Sequence, residues 1–215
     1  MKRLIFLSFM LMILLSLASF ASAKGLELSF FLGMKDGSES SDGVIVSFTV
    51  EEGGKATNVF EQLWSERKWS DMFEVNLGKW SGKSIILNLT TDPGKVRNTG
   101  WDWILIGDAK IMANDKLVYD IGQAVAGGIM GLSVFLDGDK NETKGLKFDA
   151  NCTPDVGPVG GQAKPKSFMQ HPAWNGKVGN TISRYEIDLP GGFGGIAVDA
   201  NGKLATAWGH LKVIR

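Results

Sequence analysis

The sequence has few of the residues from which most metal and nucleophile sites are built. Among its 215 residues there are one cysteine and two histidines. A structural zinc site takes four Cys or His ligands, and a catalytic zinc site usually takes several. The sequence also has no Gly-x-Ser-x-Gly elbow and no Cys/His nucleophile signature. Most metal and covalent catalytic sites are thereby excluded, and no metal site is predicted.

The chain also has no excess of charge of either sign. It carries 23 basic and 23 acidic residues, so the formal net charge is zero. Proteins that bind nucleic acid or anionic lipid normally carry a basic patch, and none is present here. Hydrophobic residues make up 44% of the chain, which is near the globular average and is enough to bury a core. We therefore expect a globular protein that does not bind nucleic acid.

Residues 1–23 have the organisation of a secretory signal peptide. They begin with two basic side chains, continue as an apolar run to Phe20 and end in the small residues Ala21-Ser22-Ala23. An uncleaved membrane anchor is the alternative, because the run is close to the minimum length that spans a bilayer. We expect a secreted or periplasmic protein with no membrane contact beyond this segment. With one cysteine, no intramolecular disulfide can form, so stability must come from the core.

Alternation of apolar and polar residues dominates residues 24–120. It is clearest at residues 44–50, 73–77 and 85–89, with turn signals between these segments. Each segment predicts a strand with one face toward a core, and several short strands at this spacing predict an all-β, antiparallel sandwich. For residues 60–69 we predict one turn of helix or a loop that crosses between sheets.

The second half of the chain, residues 121–215, is rich in glycine and holds 17 of the 28 glycines. Its apolar run from Ile121 to Leu136 predicts one or two buried strands with a tight turn at Gly127-Gly128. Alternation at residues 185–189 predicts another strand, and Asn201-Gly202 predicts a hairpin. This Gly-rich β region either completes the sandwich of residues 24–120 or forms a partial second module.

A series of short segments in the first half follows the order and spacing of a known module family. The main segments are Phe31-Leu32-Gly33, Ser41-Asp42-Gly43-Val44, Trp80-Ser81-Gly82-Lys83, Asp92-Pro93-Gly94 and Trp101-Asp102-Trp103. On these, residues 30–112 resemble the NPCBM-like carbohydrate-binding modules, which occur beside glycoside hydrolases and in secreted bacterial proteins. Residues 167–190 resemble the opening strands of the same kind of module. The resemblance implies a galactose-binding-like jelly-roll sandwich, no catalysis, and a glycan or glycosylated surface as partner.

Candidate binding residues are aromatic side chains with polar neighbours, because sugars present both apolar C–H faces and polar edges. Trp64, Arg67 and Trp69 offer this mixture in one polar stretch. Asp102 and Trp103 form a second group, in which the carboxylate would bond a sugar hydroxyl beside an indole plane. The alternative for both groups is structural: the indoles fill the core or plug a sandwich end, and Asp102 caps a turn or pairs across the sheet.

Three functions follow, in order of preference. The first is a secreted, non-catalytic module that recognises glycans, and the second is a structural or protein-interaction sandwich without sugar binding. The third is a small glycoside hydrolase, which would need two converging carboxylates that no motif marks. No cofactor is predicted. The stretch from Asp137 to Asn141 begins like a calcium loop, but Glu142 stands where an EF-hand needs glycine, so a Ca²⁺ site has no support.

Overall fold

A computed structural model of the chain describes residues 25–146, 151–174 and 176–193. The predicted signal peptide at 1–23 and the predicted hairpin at Asn201-Gly202 lie outside the described residues. Within them, thirteen strands form two antiparallel sheets that pack face to face, so the prediction of an all-β sandwich is confirmed. The described helical structure is one short α-helix, α1 (Ile121–Ala126), and a 3-10 turn at Gly78–Trp80.

The two sheets are named here A and B. Sheet A contains β1 (Leu26–Met34), β4 (Phe73–Asn76), β6 (Ile104–Ala113), β7 (Lys116–Asp120), β10 (Cys152–Pro154) and β11 (Phe168–Gln170). Sheet B contains β2 (Val44–Glu52), β3 (Lys55–Trp64), β5 (Ser84–Asp92), β8 (Gly131–Leu136), β9 (Thr143–Lys144), β12 (Ala173–Trp174) and β13 (Val178–Asp188). The strand order is β10-β11-β6-β1-β4 in sheet A and β3-β2-β5-β13-β8-β9 in sheet B.

The core lies between the two sheets. It consists mainly of the apolar side chains that occur at every second position of the strands. Strand β2 buries Val44, Val46, Phe48 and Val50, and their polar neighbours in the sequence face outward. From the facing sheet, the Phe30 ring lies 4.7 Å from that of Phe48, measured between centroids. Side chains on successive strand positions point to opposite faces, so one polar and one apolar face follow directly from the sequence.

Strands from both halves of the chain are hydrogen-bonded neighbours in both sheets. In sheet B, β13 lies beside β5, with Tyr185 opposite Leu87 and Ile187 opposite Ile85. In sheet A, β11 pairs with β6. Side chains of β13 and β5 belong to one continuous set of buried apolar residues. The second half therefore supplies part of the same core as the first.

A buried polar group also joins the two sheets. Gln170 of β11 donates from Nε2 to the backbone oxygens of Leu89 and Thr181, and its Oε1 accepts from the Ser183 hydroxyl. The Tyr185 hydroxyl then donates to the Ser183 Oγ. Because an unpaired polar group costs about 1–3 kcal/mol in a core, this connected set favours one alignment of sheet A on sheet B.

The prediction of a helical turn or loop over residues 60–69 is wrong for residues 60–64, which end strand β3. Phe60 pairs with Phe48 and Asn58 pairs with Thr49, so Val59 is an extra residue in a β-bulge. The bulge interrupts the alternation, and the outer edge of β3 is exposed. For these reasons the period-two signal is absent where the strand is present.

The prediction of buried strands over residues 121–136 is right for its second part and wrong for its first. Ile121–Ala126 form α1, whose N-cap is Asp120, with its carboxylate accepting from the Gln123 backbone N–H at 2.9 Å. Gly128 follows at φ +66° and turns the chain into β8. A short apolar run fits a buried strand and a buried helix equally well, and its periodicity cannot separate the two.

Candidate functional site

Five connections meet at one end of the sandwich, which we call the loop end. This follows from the antiparallel order: β1, β3, β5 and β8 finish there, and β2, β6 and β13 begin there. The described residues of the loop end are 35–43, 65–72, 93–103, 137–142 and, before β13, 176–177. All five predicted site residues lie in or beside these connections.

Trp101 and Trp103 form an aromatic pair at the loop end. Their ring centroids are 5.1 Å apart with an angle of 57° between the ring planes. Trp101 is 49% exposed, whereas Trp103 is half-buried beneath Gly37. A Cβ at Gly37 would lie 3.3 Å from the Trp103 ring, and this glycine has φ +99°, so both its size and its backbone suit this contact.

The backbone at Trp101 is in the left-handed region, with φ +67°. This conformation is uncommon for a bulky residue and costs about 1–3 kcal/mol. A hydrogen bond of 2.8 Å from the Trp103 N–H to the Trp101 carbonyl closes the turn. Residues 101–103 are consequently not part of a strand, and β6 begins at Ile104.

Asp102 lies beneath this pair and is fully buried. Its Oδ1 accepts a hydrogen bond of 2.6 Å from the Ser41 hydroxyl, and its Oδ2 has no hydrogen-bond partner. Burial raises the pKa of Asp102 to about 7; the Ser41 hydrogen bond lowers it and the charge of Asp42 raises it. The structure thus does not support the predicted contact of Asp102 with a ligand, because the turn at Trp101 directs the carboxyl inward.

Trp64, the first predicted platform residue, packs inward. Its ring is half-buried against the core and meets the Phe73 ring edge-on, with centroids 6.2 Å apart. Its Nε1 donates to the Glu66 backbone oxygen at 3.0 Å. Trp64 therefore closes the end of the sandwich, as the structural alternative expects.

Trp69 lies on the outer face of sheet A instead of at the aromatic pair. Its Nε1 donates to the backbone oxygen of Gln162 at 2.9 Å. Its ring covers Gly33 and Gly107 so closely that a Cβ on either would lie 3.0 Å or less from an indole carbon. The Lys164 ammonium stands 5.6 Å from the ring centroid. The indole is thus held in place by the chain itself.

The segment that holds Trp69 also braces the loop end. We call residues 155–166 the strap, because they cross the outer face of sheet A. The Asp36 carboxylate accepts from the backbone N–H groups of Gly160 and Gly161 at 2.7 and 2.9 Å. Lys35 and Asp155 form an ion pair at the base of the strap. Loop 35–43 is therefore anchored from outside as well as from beneath.

Arg67 is exposed and bonds the same loop. Its guanidinium donates to the Glu39 backbone oxygen, and the Glu39 carboxylate accepts from the Gly37 N–H at 3.1 Å. Since Gly37 contacts Trp103, loop 35–43 links Arg67 to the aromatic pair. Arg67 and Trp103 thus contact the same loop, residues 35–43, whereas Trp64 and Trp69 are held elsewhere. Sequence reasoning did not select Trp101 as the exposed indole, because neither its exposure nor its positive φ has a signal in the sequence.

Two acidic residues of the connection after β8 form ion pairs. Asp137 binds Arg97, and Asp139 binds Lys177. Within the described parts of the chain, no group of three or more His, Cys, Asp or Glu side chains is placed to hold a metal ion. Among the same residues, no helix has the length and apolar character needed to cross a bilayer.

Comparison with known proteins gives one relative and no family. An uncharacterized protein of Archaeoglobus fulgidus is 32% identical over 79 residues, which is 34% of this chain and 20% of that protein. The match thus spans about a fifth of the relative's length. No protein-family model matches the sequence, and no solved structure does.

Proposed function

We propose that this protein is a non-catalytic, exported module that recognises glycans through its loop end. The observation that carries the proposal is the exposed indole of Trp101, held at positive φ and packed at a tilt against Trp103. Backbone strain of this kind persists where the surrounding structure enforces it, and such strain is concentrated at functional sites. The export of the protein rests on the sequence of residues 1–23.

The chemistry around the pair suits a sugar. An indole face packs on the C–H face of a pyranose ring, while nearby polar groups bond its hydroxyls. Asn98 is exposed, and its Oδ1 accepts from the Gly100 N–H, so its amide hydrogens remain as donors. Arg67 supplies further donors from the other side of loop 35–43.

The two other candidate functions have less support. A purely structural sandwich would bury Trp64, Trp69, Trp101 and Trp103, whereas Trp101 is half exposed. A glycosidase needs a carboxylic acid that stays protonated near neutral pH, and Asp102 has such a pKa. However, Asp102 is fully enclosed and presents no oxygen to solvent. The geometry therefore favours binding over hydrolysis.

Replacement of Trp101 by alanine is expected to weaken glycan binding about tenfold or more. Loss of one stacking indole removes about 1.4 kcal/mol, which corresponds to a factor of ten in Kd. The measurement is a glycan array followed by affinity electrophoresis in gels that contain the polysaccharides retained. Trp174→Ala is the matched control, because Trp174 is also an exposed tryptophan, 62% exposed, but lies in strand β12 and not in the loops that hold the aromatic pair. It is expected to bind as the wild type does.

Two results would contradict the proposal. One is a folded wild-type protein that is retained on no glycan. The other is a Trp101→Ala variant that binds as tightly as the wild type, whatever the effect of Trp174→Ala.

A further inference from the structure

The side chain of Asp102 connects loop 35–43 with loop 93–103, the two loops around Trp101 and Trp103. Its Oδ1 accepts from Ser41 in loop 35–43, and the Ser41 hydroxyl oxygen in turn accepts from the Gly43 N–H at 3.0 Å. Its backbone N–H donates to the Thr99 oxygen within loop 93–103. Asp102 is therefore the side-chain link between a loop that packs on Trp103 and the loop that carries both indoles.

Only one of the two oxygens of the Asp102 carboxyl takes part in this connection. Asp102 Oδ2 is buried without a hydrogen-bond partner. The hydroxyl of Ser38 in loop 35–43, a residue that is 1% exposed, is also buried without one. A neutral carboxyl tolerates such surroundings far better than a carboxylate does, because an ionised group without partners must give up its hydration. The arrangement thus favours the protonated acid while the loops are closed.

Opening of the loops would reverse this preference. If loops 35–43 and 93–103 separated, water would reach Oδ2 and the carboxylate would recover its hydration. The open arrangement would then be favoured by ionisation and the closed one by protonation. When the closed and open states of a pair of loops bind a proton with different affinities, a change in pH shifts the equilibrium between those states.

We propose that Asp102 is a positioning residue that makes closure of loops 35–43 and 93–103 beneath Trp101 and Trp103 depend on its protonation. At low pH the closed loops hold the aromatic pair in one geometry. As the carboxyl ionises, the loops open and the pair loses its support. The inference concerns the site of the proposed function, but it can be measured on the protein without any glycan.

Other titratable and charged groups lie in the same two loops and in the segment after β11, and their effects must be separated from that of Asp102. They are Lys35, Asp36, Glu39 and Asp42 of loop 35–43, Lys95 and Arg97 of loop 93–103, and His171 of the segment that follows β11. His171 matters most because a histidine titrates in the same pH range. Burial lowers its pKa, and it is hydrogen-bonded to the backbone of Pro172 and of Thr99. It is therefore the group whose replacement serves as the control.

Hydrogen–deuterium exchange of the full chain tests the inference. Exchange is measured from about pH 5 to about pH 8 and divided by the intrinsic chemical rate at each pH. In the wild type, the amides of loops 35–43 and 93–103 are expected to lose about tenfold or more in protection across this range. Tenfold is the loss for one unit of difference in the pKa of Asp102 between closed and open loops, and full rehydration, from about 7 toward 3.8, would give a larger loss. Amides of β5 and β13 report on global stability and are the internal reference.

Three variants identify the titrating group. Asp102→Asn cannot ionise and is expected to abolish the change. Ser41→Ala removes a hydrogen bond that lowers the pKa of Asp102, so the midpoint of the change is expected to move to higher pH. If Asp102 had only a structural role, loss of the Ser41 hydrogen bond would not shift the midpoint of the change. His171→Gln is expected to keep both the change and its midpoint.

The inference is overturned if the wild-type loops show no pH-dependent change in protection, or if Asp102→Asn retains it. It is also overturned if His171→Gln abolishes the change, or if Ser41→Ala leaves its midpoint where it was. Glycan retention is measured separately at the same pH values. A loop transition without retention on any glycan would contradict the proposed function alone, and retention without the transition would contradict this inference alone.

Discussion

A chain that ends at Asp120 is expected to be unfolded or aggregated. Strand β13 occupies the centre of sheet B, where it pairs with β5 along residues 181–188. Its removal exposes the long edge of β5 and opens the core on that side. An exposed apolar strand edge is a template for association with other chains. The fragment of residues 24–120 would therefore lose both its sheet and its solubility.

The magnitude of the loss is comparable with the whole stability of a domain. The core side chains that the truncation removes include five large ones that are each at most 4% exposed, namely Leu132, Phe168, Tyr185, Ile187 and Leu189. Burial of such a side chain contributes about 1.5–3 kcal/mol, so their loss removes about 7 kcal/mol or more. Small domains are stable by about 5–15 kcal/mol.

Thermal and urea unfolding of the two chains checks this expectation. The chain of residues 24–215 should show a cooperative transition, and the fragment of residues 24–120 should show none. As a control, the fragment is refolded together with residues 121–215, and the mixture is expected to recover a cooperative transition if the two halves form one core. A monomeric fragment of residues 24–120 that melts cooperatively would show that the halves are independent modules.

The second large effect expected is a fall in stability as the pH rises from about 4 to about 7, caused by Asp102. The pKa of this carboxyl is about 7 in the folded protein, against 3.8 for an ordinary aspartate. Between these values the folded state binds a proton that the unfolded state releases, so increasing pH favours unfolding. The contribution is fully present below about pH 4 and is lost by about pH 7. At 1.36 kcal/mol for each unit, it amounts to about 4 kcal/mol at most.

The Asp102→Asn variant isolates this contribution. All other titrating groups are shared, so the difference in free energy of unfolding between variant and wild type depends on Asp102 alone. The asparagine cannot ionise, and the variant is expected to gain stability relative to the wild type as pH rises from about 5 to about 8. Urea denaturation at several pH values gives this difference. A difference that stays constant with pH would mean that the folded-state pKa is near its ordinary value.

The sandwich itself follows from the order of residues along the chain. Segments 44–50, 85–89 and 185–189 alternate apolar and polar side chains, and all three are strands that bury their apolar face. Alternation is a reliable signal because the side-chain period of a strand is two, independent of what the strand pairs with. The signal fails at β3, where a bulge shifts the period, and at α1, where a short apolar run has no period to read.

The candidate site was only partly predictable. Its motif, Trp101-Asp102-Trp103, stands out in the sequence as two indoles around a carboxylate. Which of these side chains faces solvent depends on the φ of +67° at Trp101, in a turn whose Asp102 also bonds Ser41, 61 positions away in the chain. For the same reason, Trp64 and Trp69, five residues apart, are used for two different purposes.

By itself, the sequence determined that its alternating segments form strands and which faces of those strands are buried. These properties depend on residue type and on spacing within a few positions. Only the tertiary structure decided that the strap of residues 155–166 braces loop 35–43, and that Asp102 is enclosed with one oxygen unpaired. Contacts between residues 60 or more positions apart, such as Ser41 with Asp102, arise from the antiparallel order of the strands. No local pattern encodes them, because each partner meets the other only when both sheets are complete.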